Sequence, residues 1–145
     1  MFYSNDRQLL DRASQFIGVA LNAGNGRSGA GRYIAVDAAD TLSSCMVNGV
    51  LDSDRFLQSF DNLIFQAANA AQGEHPRVAV FGECADLLWK QGNIEAAIQD
   101  EKLCNQLCKR YDVNILCAYS RDNVEGVLDE EVSQICAEHS AVYRR

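Results

Sequence analysis

Short apolar runs alternate along the chain with longer segments that are hydrophobic on one side only. Residues 78–81 (Val-Ala-Val-Phe) form one run between polar neighbours, and residues 113–119 form another. Continuous runs of this length, rich in β-branched residues, are typical of strands buried inside an α/β sheet. We therefore predict two central strands, together with shorter strand-like segments at residues 2–3 and 33–36.

Between the strands, apolar residues recur at the spacing of an α-helix, which places them on one face. The predicted helices cover residues 6–22, 37–46, 94–110 and 129–139, with one more beginning at Asp52 or Ser53 and one following Glu83. Three of the predicted helices begin at a residue type that commonly caps helix N-termini. These residues are Asp6, Asp37 and Asn93. Residues 121–126 are predicted to be a loop.

The alternation of strands and helices predicts an α/β fold of three layers, in which helices flank a mainly parallel sheet. A length of 145 residues suits one domain, so residues 1–145 are assigned to a single domain. Thirteen basic and 20 acidic residues give a net charge of −7, which argues against nucleic-acid binding by this domain and against an anionic membrane surface. Without an export signal or a membrane-length apolar run, we expect a cytoplasmic protein.

A glycine-rich stretch covers residues 24–31, with four glycines in eight residues. Gly24, Gly26 and Gly29 have the spacing G-x-G-x-x-G, which in dinucleotide-binding proteins follows a strand and opens a helix. Here a predicted helix precedes the stretch and a strand-like segment follows it. The Lys-Ser/Thr pair of a phosphate-binding loop is also missing. We interpret residues 24–31 as a linker.

The carboxylate of Glu83 comes directly after the predicted strand at residues 78–81 and its Gly82. Ligands of open α/β sheets bind outside the carboxyl ends of the strands, so Glu83 is the first candidate for a binding site.

A second carboxylate, Glu101, falls on the apolar face of the helix at residues 94–110, with Asn105 one turn further along. A carboxylate that faces a core is costly unless it is paired. Either Glu101, Asn105, Glu83 and Trp89 share a ligand pocket, or Glu101 only holds the helix by pairing with Arg77, Lys90 or a backbone donor. We predict the pocket, whose mixture of apolar walls and few polar groups suits a small organic ligand.

The six cysteines include Cys104 and Cys108 on one helical face, and Cys136 lies three residues before His139. Four such ligands are enough for a zinc site. The cysteines have apolar neighbours, however, and no C-x-x-C pair occurs. We expect all six to be reduced and metal-free, with no bound metal or cofactor and no catalytic residue.

Several strings of the sequence together resemble one known family. They are residues 37–42 (DAADTL), 46–49 (MVNG) with Asp52, Arg55 and Phe56, 80–83 (VFGE), 87–89 (LLW), Gly92-Asn93, Ala96-Ala97, Glu101 with Leu103 and Asn105, 116–119 (LCAY), Ile135-Cys136, and His139-Ser140. This combination is similar to the MEDS domain, the methanogen/methylotroph, DcmR-type sensory domain. The likeness covers most of residues 37–140.

The resemblance implies a non-enzymatic sensory module that is often fused to a DNA-binding domain or a histidine kinase, and that binds small hydrocarbon derivatives. It also implies a degenerate RecA/KaiC-like fold without a phosphate loop. The family's Gly-Glu motif corresponds to Gly82-Glu83, its helical Glu and Asn to Glu101 and Asn105, and its last Cys-His pair to Cys136 and His139.

The chain departs from the family pattern between its first helix and Arg32-Tyr33, where the glycine linker replaces a strand and a helix. Its first strand is also shortened to Phe2-Tyr3. A missing strand leaves an open sheet edge, so a homodimer is expected.

The function predicted from the sequence is a signal-sensing domain that binds a small organic molecule and acts as the input of a regulatory protein. Two alternatives stay open at this point. One is a degenerate RecA-like nucleotide-binding protein, and the other is an acidic protein-interaction domain.

The linker interpretation of residues 24–31 makes a first testable prediction. ATP should leave the melting temperature unchanged, because the stretch lacks the sequence context of a phosphate-binding loop. Thermal unfolding with and without ATP, for the natural chain and for Gly26→Ala/Gly29→Ala, measures this. A rise with ATP that the double substitution abolishes would contradict the linker interpretation.

Overall fold

Strands and helices alternate in the computed structural model, which describes residues 1–23, 33–71, 77–124 and 129–142. The helices are α1 (Asp6–Ala23), α2 (Ala38–Cys45), α3 (Ser53–Ala70), α4 (Cys84–Lys90), α5 (Ile94–Arg110), α6 (Arg121–Val124) and α7 (Asp129–Ala137). The strands are β1 (Phe2–Tyr3), β2 (Met46–Val47), β3 (Val50–Leu51), β4 (Val78–Gly82), β5 (Val113–Cys117) and β6 (Tyr119–Ser120). Within these ranges, no helix combines the length and apolar character needed to cross a bilayer.

Parallel pairing joins β4 to β5 and β1 to β6, while β2 and β3 form a separate antiparallel hairpin. The backbone N–H of Ala118 donates to the carbonyl of Gly82 at 2.9 Å, and the next N–H, that of Tyr119, donates to the carbonyl of Met1 at 2.7 Å. Consecutive N–H groups of an extended chain point to opposite sides. Strands β4 and β1 therefore flank the β5–β6 segment on its two sides, in one parallel arrangement.

Helices cover both faces of these strands. Val80 and Ile115 belong to the main core, which also contains buried residues of α3, α4 and α5. Their neighbours Phe81 and Leu116 pack on the opposite face with Leu9 of α1. Alternate strand residues point to opposite faces, so the strands lie between α1 and the layer of α3, α4 and α5. The predicted α/β fold, with parallel strands and flanking helices, is confirmed.

Local sequence signals set the ends of several elements as predicted. Asp37, Asp52 and Asn93 each accept a hydrogen bond from a backbone N–H of the first helical turn that follows, at 3.0, 2.9 and 3.3 Å respectively. Asn48 and Gly49 both have positive φ, at 51° and 79°. An Asn-Gly pair adopts this conformation in a two-residue hairpin turn, and here it connects β2 to β3.

Three local predictions are wrong. Asp6, predicted to cap the first helix, is the first residue of α1, and the capping oxygen is Oδ1 of Asn5, which accepts from the backbone N–H of Gln8 at 3.0 Å. Residues 33–36, predicted to be strand-like, are exposed and form no strand, because no described strand lies beside them to satisfy their backbone groups. Residues 121–124, predicted to be part of a loop, form α6. The Asp86 carboxylate accepts hydrogen bonds from Ser120 N and Asn123 Nδ2, both at 3.0 Å, and these bonds hold the two ends of the turn together. The predicted glycine linker at 24–31 lies outside the described residues.

The cap of α5 generates a testable prediction, because this helix carries Glu101 and Asn105. Asn93 caps its first turn, and the Nδ2 of the same side chain donates to the carbonyl of Gly49 at 3.0 Å. Asn93→Ala should lower the free energy of unfolding by about 1 kcal/mol, as measured by urea denaturation. Asn62→Ala, at an exposed position inside α3, is the control and should cause no loss. Equal stabilities for the two variants would show that the cap contributes nothing.

Candidate functional site

The inward face of α5 carries an acidic side chain deep in the fold. Glu101 is only 2% exposed, as is its neighbour Asp100. Helical periodicity places Glu101 on the same side as Ala97 and Cys104, which are also buried. As predicted, the carboxylate of Glu101 must therefore find its partners inside the protein.

Two side chains from distant parts of the chain meet the Glu101 carboxylate. The hydroxyl of Tyr119, a buried residue of β6, donates a hydrogen bond to Oε1. The Nε2 atom of His139, which follows α7, lies 3.1 Å from Oε2. Glu101 thus pairs with a histidine, where the sequence had suggested Arg77, Lys90 or a backbone donor.

His139 is held by its other ring nitrogen. Its Nδ1 lies 2.7 Å from the backbone carbonyl of Ile135, so that Nδ1–H donates to that oxygen. This contact fixes the ring with Nε2 directed into the protein. The Cys117 sulfur and then the Glu101 carboxylate raise the pKa of His139 to about 10, against the opposing effect of burial.

A sulfur atom completes the group. The Sγ of Cys117, at the end of β5, lies with one carboxylate oxygen of Glu101 and one ring nitrogen of His139 so that all three atoms are within 4.8 Å of one another. The Cys104 thiol hydrogen-bonds to this sulfur and lowers the pKa of Cys117, and His139 acts in the same direction against burial. We call Glu101, Cys117 and His139 the buried cluster.

A small cleft adjoins the buried cluster. It is lined by Met1, Phe2, Tyr119, Ile135, Cys136, His139, Ala141 and Val142. Tyr119 and His139 therefore contact both the cleft and Glu101.

Two more of the predicted residues lie around these groups. Trp89 is buried and meets the Tyr119 ring edge to face, with ring centroids 6.3 Å apart. Asn105 Nδ2 donates to the backbone carbonyl of Glu138 at 2.5 Å and to its carboxylate at 3.0 Å. Since Glu138 immediately precedes His139, this contact ties α5 to the segment that positions the histidine.

Glu83 follows β4 directly, as predicted, and stands at its carboxyl end. Its Oε1 accepts a hydrogen bond from the Tyr3 hydroxyl at 2.9 Å. Trp89 and Glu101 thus both contact Tyr119. Asn105 binds the residue before His139, and Glu83 binds β1. That these four residues share one ligand pocket stays a prediction.

Sequence reasoning missed Cys117 and Tyr119 as site residues and assigned no partner to His139. A signal was present, because Cys117 and Tyr119 are two positions apart at the end of a predicted strand and so face the same way. Of the two spacings that were considered, Cys104 to Cys108 supplies none of the three clustered residues, and Cys136 to His139 supplies only His139. Cys108 is exposed on α5. All six cysteines fall within the described ranges, and none of them forms a disulfide.

Comparison with known proteins gives one match. The family model described as "MEDS: MEthanogen/methylotroph, DcmR Sensory domain" matches residues 25–139, which is most of the chain. No curated protein and no solved structure matches.

The pairing of Glu101 with His139 generates a prediction about stability. With metal-free protein, Glu101→Gln should lower the free energy of unfolding by about 3–5 kcal/mol, because removing one partner leaves the other charge buried and unpaired. Urea denaturation at neutral pH measures the change. Glu95→Gln, at an exposed position in the first turn of the same helix, should cost less than about 1 kcal/mol. If both variants were equally stable, Glu101 would not anchor the fold.

Proposed function

Because the chain belongs to the MEDS family of sensory domains, we propose that it binds a small organic ligand in the cleft beside His139. The binding event then serves as the input of a regulatory protein. The observation that carries the proposal is that His139 and Tyr119 line the cleft and also contact Glu101. A ligand in the cleft would therefore act directly on a buried charged group.

The lining of the cleft suits a small, mostly apolar molecule that carries one polar atom. Phe2, Ile135 and Val142 supply apolar surface, while His139 offers a polar contact. Few polar groups in an apolar cleft fix the orientation of a ligand without a high desolvation cost. Hydrocarbon derivatives with a single hydroxyl group or halogen atom have this character. The domain acts without catalysing a reaction.

The four residues predicted from the sequence have distinct parts in this proposal. Glu101 holds His139, and Trp89 forms the wall behind the Tyr119 ring. Asn105 fixes the end of α7 through Glu138, and Glu83 holds β1, whose Phe2 lines the cleft, through Tyr3. All four therefore shape the cleft or the residues that line it.

The cleft lies between β1 and the segment after α7, so a bound ligand can change how this segment packs on the rest of the domain. A ligand shifts a conformational equilibrium only as far as its affinity differs between the two states. The contacts of His139 with Glu101 and of Glu138 with Asn105 help to hold this segment to α5. A ligand that favours or opposes them would move α7 and so change the surface that a partner domain contacts.

The expectations about assembly and location carry over into this proposal. β4 has a strand partner on one side only among the described residues, which supports the expected homodimer. The net charge of −7 supports a domain that does not itself bind nucleic acid. We place the domain in the cytoplasm, as the sensory part of a transcription regulator or histidine kinase.

The proposal is tested by blocking the cleft. Small halogenated and hydroxylated hydrocarbons are screened by thermal shift, and hits are measured by calorimetry. A ligand at about 100 times its Kd should stabilise the fold by about 2.7 kcal/mol. Ala141→Phe places a ring in the cleft and should abolish the shift, whereas Ala39→Phe, at an exposed position on α2, should preserve it.

Two outcomes would reject this function. Ligands that stabilise Ala141→Phe as well as the natural chain would bind elsewhere. Stabilisation by nucleotides alone would favour the RecA-like alternative.

A further inference from the structure

We propose that the buried cluster of Glu101, Cys117 and His139 is a binding site for one zinc-type metal ion. This proposal does not depend on the ligand cleft, and it opposes the sequence-based expectation of metal-free cysteines. That expectation rested on short spacings such as Cys104 to Cys108. The cluster instead combines residues from α5, from β5 and from the segment after α7, which no local spacing reveals.

The distances fit a single ion. The three candidate ligand atoms lie within 4.8 Å of one another, and Nε2 of His139 is 3.1 Å from Oε2 of Glu101. Around tetrahedral zinc, ligand atoms bonded at about 2.0–2.3 Å are about 3.3–3.6 Å apart. Side-chain adjustments of the order of an ångström are therefore enough to close the three atoms around a metal ion.

The orientation of His139 matches that of a metal ligand. Histidine ligands commonly donate their second ring N–H to a backbone carbonyl or carboxylate, which fixes the other nitrogen toward the metal. His139 makes this contact through Nδ1 with Ile135 O at 2.7 Å. Its Nε2 is buried and, despite its proximity to Glu101, makes no well-aligned hydrogen bond. A bound ion would replace the proton on this nitrogen and use its lone pair.

Supporting contacts hold the other two ligands. The Tyr119 hydroxyl binds Oε1 of Glu101, which leaves Oε2 on the side of His139. The Cys104 side chain interacts with the Cys117 sulfur, and its thiol also donates to Asp100 Oδ2 at 3.8 Å. Outer contacts of this kind orient metal ligands, and their loss commonly weakens metal binding about 10–100-fold.

The donor set selects the metal. One sulfur, one imidazole nitrogen and one carboxylate oxygen suit Zn²⁺ and its substitute Co²⁺, whereas Mg²⁺ and Ca²⁺ prefer oxygen ligands alone. Three protein ligands also leave one position of a tetrahedral ion open to a further ligand. When the ion binds, Nε2 of His139 and the Cys117 thiol release their protons to solvent, and no oxidation or reduction takes place.

Cobalt titration tests the site in the full chain. Reduced protein stripped with a chelator is titrated with Co²⁺, and the visible absorption and the near-ultraviolet sulfur-to-cobalt band are recorded. We expect one equivalent to bind with both signals. Cys117→Ser should lose the sulfur band, and His139→Gln should lose the one-equivalent step. Tyr119→Phe should bind about 10–100-fold more weakly. Circular dichroism identifies variants that remain folded.

A matched cysteine variant provides the control. Cys108→Ser, at an exposed position, should keep the cobalt signals of the natural chain. The assignment is overturned if Cys117→Ser retains the sulfur band, or if Cys108→Ser loses it.

A measurement on the unmodified chain keeps the proposal falsifiable even where a variant fails to fold. X-ray absorption of the zinc-loaded protein should show one sulfur at about 2.3 Å and nitrogen or oxygen ligands at about 2.0–2.2 Å. The absence of a sulfur ligand, the presence of two or more, or a failure to bind Zn²⁺ or Co²⁺ at all would reject the site.

Discussion

The buried Glu101 carboxylate is the constraint on which the arrangement of the last third of the chain depends. Removing a carboxylate from water costs several kcal/mol unless partners replace the lost hydration. Tyr119 and His139 supply those partners, and each comes from a different element. Satisfying one side chain of α5 therefore fixes both β6 and the segment after α7, and the cleft between them follows from the same contacts.

Glu101 is one of three acidic residues buried in this part of the fold. Asp86 receives the N–H of Ser120 and the amide of Asn123, whereas one carboxylate oxygen of Asp100 has no hydrogen-bond partner. Burial raises the pKa of both Asp86 and Asp100. Replacing such groups with apolar ones is often neutral or stabilising, so their concentration near one helix supports the site proposed there.

Much of the fold could be predicted because the signals that set it are local. Periodicity located α1, α3 and α5, and Asp37, Asp52 and Asn93 stand where their helices begin. Periodicity also identified Glu101 as a buried carboxylate. Its partners could not be predicted, because pairing across tens of residues depends on strand register and on how the chain returns after α7. Residues 33–36 show that a local pattern is also not enough for a strand. Their sequence is strand-like, but they form no strand because no described strand pairs with them.

The placement of β1 has a consequence for how the protein is made. Its Phe2 pairs with Tyr119, so β1 finds its strand partner far along the sequence. During synthesis both β1 and β4 therefore wait for the β5–β6 segment, which supplies the strand partners of the two. Pairing between strands that are distant in sequence is slow, and the edges of the unpaired strands stay exposed until it is complete. The nascent chain thus passes through a stage in which the strand that carries the cleft residue Phe2 has no strand to pair with, and a chaperone or a second copy can capture it there.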